Sequence, residues 1–220
     1  MFDVTPSPMP RAAARGRQAS EAACAGCAHL GLFRALRRAG LDFQGGLGCD
    51  PSAPRAFGAA PGRWAAVAGA RAVLEDARAV LASSARAGAA LVVVADARTG
   101  SAADVEAALE AVGARAYRVN PGDLAAVEAA ARAAVEPGGL QTTLGREVLV
   151  LVALSGCARG APRSSPFAIA PSRCNRCGAC LALGCPAISD PGGEAIAIDP
   201  ATCTGCGLCP SLCRGRAIAR

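Results

Sequence analysis

No lysine occurs anywhere in these 220 residues, histidine occurs once, and aromatic residues amount to only 3%. Each shortage excludes a class of chemistry. Without lysine there is neither a Walker-A lysine on a phosphate nor a Schiff-base amine. A single histidine, His29, excludes a His-pair metal site, and no Ser–His or Cys–His arrangement is suggested. Scarce aromatics leave little for bases to stack on, and the arginines are scattered, so the formal charge of +6 does not read as a nucleic-acid surface. No apolar run reaches the length of a membrane span, since "ALVVVA" and "VLVLVAL" are strand-sized. Residues 1–20 hold no continuous apolar stretch. They read as a disordered lead-in rather than a secretory signal, and a cytoplasmic protein is expected.

What the chain has in abundance is cysteine, twelve in all, together with 52% apolar residues that let Ala, Val and Leu build a core. In a reducing compartment so many thiols are seldom disulfides. Cys203, Cys206 and Cys209 follow a C-x2-C-x2-C rule, with Cys213 shortly after, and Cys174, Cys177, Cys180 and Cys185 repeat the pattern. Such triplets aim neighbouring thiolates at one centre. This is the ferredoxin arrangement for two 4Fe–4S clusters, in which each fourth cysteine ligates the other cluster. One cluster is therefore expected on Cys174, Cys177, Cys180 and Cys213, and the other on Cys203, Cys206, Cys209 and Cys185. The anionic clusters would be balanced by arginines. A structural zinc ribbon is the competing reading, but zinc sites usually present cysteine pairs rather than triplets. Two departures stand out: four residues separate Cys180 from Cys185, and Arg214 replaces the proline that usually follows the last cysteine.

Ahead of this module the chain alternates strand-like and helix-like stretches. Leu32, Phe33, Leu36 and Ala39 sit at helical spacing up to Gly40, and a Pro/Gly-rich connection follows. "RWAAVAG" reads as a strand. The helix after it should place Val73, Leu74, Ala77, Val80 and Leu81 on one face. "ALVVVAD" reads as a buried strand, and a helix capped by Ser101 with Asp104 comes next. "ARAYRVN" is a strand, a helix is opened by Pro121, and "EVLVLVAL" is a strand ending just before Cys157. That alternation predicts a parallel, right-handed α/β sheet over residues 21–160. Residues 161–220 form a separate small α+β module with short strands at "FAIA" and "AIAI", too small to fold without metal.

The order "CAGCAH … GGLGC … LVVVADART … YRVNPGDLAAVEAA … VLVLVALSGC", followed by the ferredoxin pattern, resembles the C-terminal part of the indolepyruvate ferredoxin oxidoreductase alpha subunit, within the 2-oxoacid:ferredoxin oxidoreductases. The resemblance implies a truncated thiamine-diphosphate-type α/β domain followed by a bacterial-type 2x4Fe–4S ferredoxin domain. It also implies a third 4Fe–4S cluster on Cys24, Cys27, Cys49 and Cys157, against the alternative of buried, unpaired cysteines. His29 falls where the family has a histidine. It either contacts cofactor and tunes that cluster or, the favoured reading, caps a helix start.

The family holds thiamine diphosphate through Mg²⁺ on an Asp and an Asn, but the matching positions are Ala70 and Ala97, whose methyl groups cannot ligate a hard cation. Glu75 and Asp76 are near but inside a helix at the wrong offset, and the segment with the activating glutamate is not among these residues. Thiamine diphosphate and Mg²⁺ are accordingly not expected, and no catalytic residue is assigned. The expectation is an iron–sulfur electron-transfer subunit in a hetero-oligomer, between an oxidoreductase partner subunit and a soluble electron carrier. A catalytic 2-oxoacid:ferredoxin oxidoreductase subunit whose thiamine site is completed by another chain is the second reading, and a non-redox metal protein the third.

Overall fold

The computed structural model describes residues 23–45, 64–96, 100–135, 149–191, 193 and 195–220. Helix α1 (His29–Arg38) comes first and buries Leu32, Phe33 and Leu36. Gly40, at φ +78°, turns the chain into strand β1 (Asp42–Gly45). Then follow β2 (Trp64–Ala68), α2 (Ala70–Arg86), β3 (Leu91–Asp96), α3 (Ala102–Glu110), β4 (Ala116–Arg118), α4 (Leu124–Val135) and β5 (Leu149–Leu154). The five strands form one sheet in the order β1-β2-β3-β5-β4, and every neighbouring pair is parallel. The expected α/β architecture is present.

β3 and β5 lie inside the sheet and are covered on both faces, which is why both read as unbroken apolar runs. Their alternation splits the core into two layers. Leu91, Val93, Ala95, Leu149, Leu151 and Ala153 pack with α1 and α4. Val92, Val94, Val150 and Val152 pack with α2 and α3. A tight crossing joins α1 to α4: a Cβ on Gly31 would lie 2.5 Å from Leu124 Cδ2 and 2.9 Å from the Pro121 carbonyl oxygen. Glu128 of α4 accepts from Arg132 and from Arg38 of α1.

Several local expectations need correction. Strand β1 has no counterpart among the expected elements, because four residues with one buried side chain, Phe43, carry no visible period. Helix α2 is kinked at Asp76 (φ −158°, ψ 85°), whose Oδ1 accepts the Ala79 N–H and caps the second half. The kink rotates the expected apolar face. Val73 and Ala77 stay buried, Val80 and Leu81 are half-buried, and Leu74 is 39% exposed. Asp123, not Pro121, caps α4, accepting from the Ala126 N–H. The Ser101–Asp104 capping box is present as expected.

The C-terminal segment carries β6 (Ala168–Ile169), β7 (Ile188–Ser189), β8 (Ala197–Ile198), α5 (Leu208–Leu212) and β9 (Ile218–Ala219). β6 pairs with β9 and β7 with β8, both antiparallel. Its apolar residues Leu183, Ile196 and Ile218 join the layer that contains α1, so one core runs from the sheet into this segment. No helix among the described residues is long and apolar enough to cross a membrane.

Candidate metal centres

The internal repeat is visible in the backbone. In each triplet the residue before the second cysteine is left-handed, Arg176 at φ +57° and Gly205 at φ +71°, and so is the residue after it, Gly178 at +71° and Gly207 at +84°. These turns fold each C-x2-C-x2-C run around a hollow. The second cysteine of each run, Cys177 or Cys206, is exposed, and the third, Cys180 or Cys209, is buried. At Gly205 only glycine fits, since a Cβ would meet the Ser165 carbonyl oxygen at 2.6 Å.

Two hollows result. One is lined by Cys174, Cys177, Cys180 and Cys213 with Ile169, Ile196 and Ile218. The other is lined by Cys185, Cys203, Cys206 and Cys209 with Phe167, Leu183 and Ile198. Each fourth cysteine crosses to the other triplet. The departures in spacing are absorbed by turns. Gly184, at φ +71°, closes the 3₁₀ turn Leu181–Leu183 and delivers Cys185. After Cys213 the Arg216 N–H returns to the Cys213 carbonyl, with Arg216 itself at φ +48°, and this makes the turn without proline.

The eleven described cysteines are all free of disulfides. Ala217 N–H donates to Cys213 Sγ over 3.2 Å. Burial pushes the Cys180 and Cys185 thiols up, and backbone hydrogen bonding, from Leu181 at Cys180 and from Ala187 and Gly26 at Cys185, pulls them part of the way down. Burial first, then the neighbouring Cys206, Cys185 and Cys203, push Cys209 up to about 12. A cation beside these three sulfurs reverses that preference. The donors are soft sulfur without carboxylate, which suits iron–sulfur or zinc and not Mg²⁺. Among the described residues no three His, Cys, Asp or Glu side chains gather as one metal ion would require. A 4Fe–4S cubane has iron and sulfide at its corners and carries one thiolate on each iron, farther apart than the ligands of a single tetrahedral ion. Each quartet lines one of the two hollows.

Of the remaining cysteines, Cys24, Cys27 and Cys157 are among the described residues. Cys24 and Cys27 lie in a turn before α1, where Cys27 N–H donates to the Cys24 carbonyl over 3.1 Å. Arg159, two residues past Cys157, donates from Nε to Cys24 Sγ over 3.1 Å. This brings the Cys24–Cys27 loop beside the Cys157 turn. Cys49 lies outside the described residues.

His29 does not cap the helix, which has no side-chain cap. Its ring is fully buried and its Nε2–H donates to the Ala153 carbonyl of β5 over 2.6 Å. Burial, the largest influence, holds the imidazole below its ordinary pKa. A neutral ring with its proton on Nε2 leaves Nδ1 to accept from the Cys27 S–H, 3.4 Å away.

The place where the resemblance puts a diphosphate is filled by the chain itself. Asp96, at the end of β3 and 1% exposed, accepts the N–H of Ala70, the first residue of α2, at Oδ2. A helix N-terminus is the natural seat of an anion, and here a carboxylate occupies it. Ala70 offers no oxygen ligand, Glu75 is exposed and paired with Arg71, and Ala97 lies outside the described residues. The described residues do not fit thiamine diphosphate with Mg²⁺. Asp96, Arg159 and the amide of Gly26 had no signature in the sequence, because each acts across a tertiary contact.

The chain matches no family model, no curated protein and no solved structure.

Proposed function

We propose that this chain is an iron–sulfur electron-transfer subunit with two 4Fe–4S clusters, one on Cys174, Cys177, Cys180 and Cys213, the other on Cys185, Cys203, Cys206 and Cys209. The observation that carries this reading is the pair of hollows, each lined by one whole quartet with its fourth cysteine crossed over. When bound, such a cluster supplies electron transfer without bond chemistry. The chain's residues do the rest. The amides on Cys180, Cys185 and Cys213 stabilise negative charge on sulfur, the isoleucines keep water from the buried faces, and exposed Cys177 and Cys206 bring each site to the surface. Partners are then an oxidoreductase subunit on one side and a soluble electron carrier on the other, in a reducing compartment such as the cytoplasm. In kinship the chain is a 2-oxoacid:ferredoxin oxidoreductase relative that has given up thiamine chemistry, and the Asp96 carboxylate at the α2 N-terminus supports the loss.

Anaerobic purification tests the reading. The protein should be brown, hold about eight iron atoms with matching sulfide, and give an EPR signal after dithionite. A third cluster on Cys24, Cys27, Cys49 and Cys157 raises the count to about twelve. The contact of Arg159 with Cys24 favours it, and the proton that Cys27 shares with His29 must leave first. Stoichiometric zinc without sulfide would replace the redox reading by a structural one.

A further inference from the structure

Gly26 lies between Cys24 and Cys27, in sequence far from the second quartet, yet it lines that quartet's hollow. It shares that lining with Cys185, whose thiol burial pushes up and backbone hydrogen bonding from Gly26 pulls part of the way down. It stands at φ +79°, and a Cβ there would come to 2.1 Å from Thr204 Oγ1, 3.1 Å from Thr204 Cβ and 3.2 Å from Thr204 Cγ2. Thr204 follows Cys203 and holds its buried hydroxyl without a partner among the described residues. Two segments of the chain therefore meet at van der Waals distance, and only a glycine amide lets them do so.

We propose that Gly26 is a positioning residue for the second cluster, and that the Cys24–Cys27 loop sets that cluster's reduction potential across the contact while leaving the first cluster untouched. This rests on the two-cluster reading. An N–H aimed at a ligand sulfur stabilises the more negative, reduced cluster, so its presence raises the potential. The first hollow has no lining residue from this loop. A partner that moves the loop before α1 would then shift one potential and not the other.

The test uses the full chain, reconstituted anaerobically with iron and sulfide and followed by EPR through a redox titration. The second cluster's signal is assigned by its change in Cys206→Ser. In Gly26→Ala the loop is pushed off Thr204. The second cluster should become harder to reduce by about tenfold, near 59 mV for one electron, with the first unmoved. Adding Thr204→Gly removes all three blocking atoms and should return the potential in part, the rest of the shift belonging to alanine's strain at φ +79°. Should Gly26→Ala instead lose about four of the iron atoms, the proposal stands if Thr204→Gly restores them and falls if it does not. Equal midpoints in wild type and Gly26→Ala, or equal shifts of both clusters, overturn the inference while leaving the two-cluster reading intact. A wild-type chain that takes up no iron and sulfide ends both.

Discussion

His29 fastens the loop that carries Cys24 and Cys27 to the sheet, donating from Nε2 to the Ala153 carbonyl oxygen over 2.6 Å at the end of β5. The ring is fully buried, so its removal leaves that carbonyl with no water to turn to. His29→Ala should cost about 2–4 kcal/mol, the sum of an orphaned acceptor and a cavity. His29→Phe refills the volume and should recover only the cavity part. Urea unfolding of the three proteins checks this. Equal midpoints would mean that the bond does not hold the loop.

Gly31→Ala sets two effects against each other. Alanine favours the helix by about 1 kcal/mol over glycine. Against that, its methyl would press on Leu124 Cδ2 at 2.5 Å and on the Pro121 carbonyl at 2.9 Å. Leu124 can swing aside, but the carbonyl belongs to the backbone. Overpacking of this kind costs about 1–3 kcal/mol. A net loss of stability and a lower Tm are expected, and a rise would show that α1 and α4 separate freely.

Glu128 links the same two helices and gives a pH dependence. The hydrogen bonds from Arg132 and then Arg38 hold its carboxyl below the usual range. A depressed carboxylate stabilises the fold above its ordinary pKa, and that contribution fades as pH falls through the lowered folded value. The group lies near the surface, so the effect is at most about 1 kcal/mol. Glu128→Gln should be less stable than wild type at pH 7, and the two curves should converge in acid below the ordinary carboxylate range. A gap that persists in acid assigns the effect to packing.

How far the sequence foretold all this varies with the range of the interaction. β3 and β5 were legible because central strands covered on both faces are apolar throughout. The Ser101 cap was legible because its partner is three residues away. Each C-x2-C-x2-C triplet lines a single hollow, since close spacing restricts where its thiols can point, whereas the fourth cysteine reaches that hollow through a long-range contact. β1 was not, since a short edge strand borrows its order from β2. The face of α2 was misread at Leu74 because Asp76 breaks the period. Gly26 and Asp96 act only through partners brought by the fold.

Asp96 makes the question of thiamine measurable. Its buried carboxylate takes the Ala70 N–H at the start of α2, so an incoming diphosphate meets negative charge where it needs donors. The wild-type chain should show no heat of binding with thiamine diphosphate and Mg²⁺ by calorimetry. Asp96→Ala should lose about 1–3 kcal/mol of stability from the unpaired amide. Micromolar binding by wild type would restore the thiamine-dependent reading.

Cluster removal tests what holds the C-terminal segment together. Its strands β6 to β9 are two residues each, too short to persist by pairing alone. Without metal the buried Cys209 is a neutral thiol, its pKa pushed up to about 12, and offers no charge to bind its neighbours. Anaerobic chelation should therefore strip amide-exchange protection from Ile169, Ile198 and Ile218. Val93 and Val152, in the centre of the parallel sheet, should keep theirs, because their pairing and burial need no metal. Protection unchanged in both places would mean that the segment folds on its apolar contacts with α1, and that the cysteines contribute nothing to holding it.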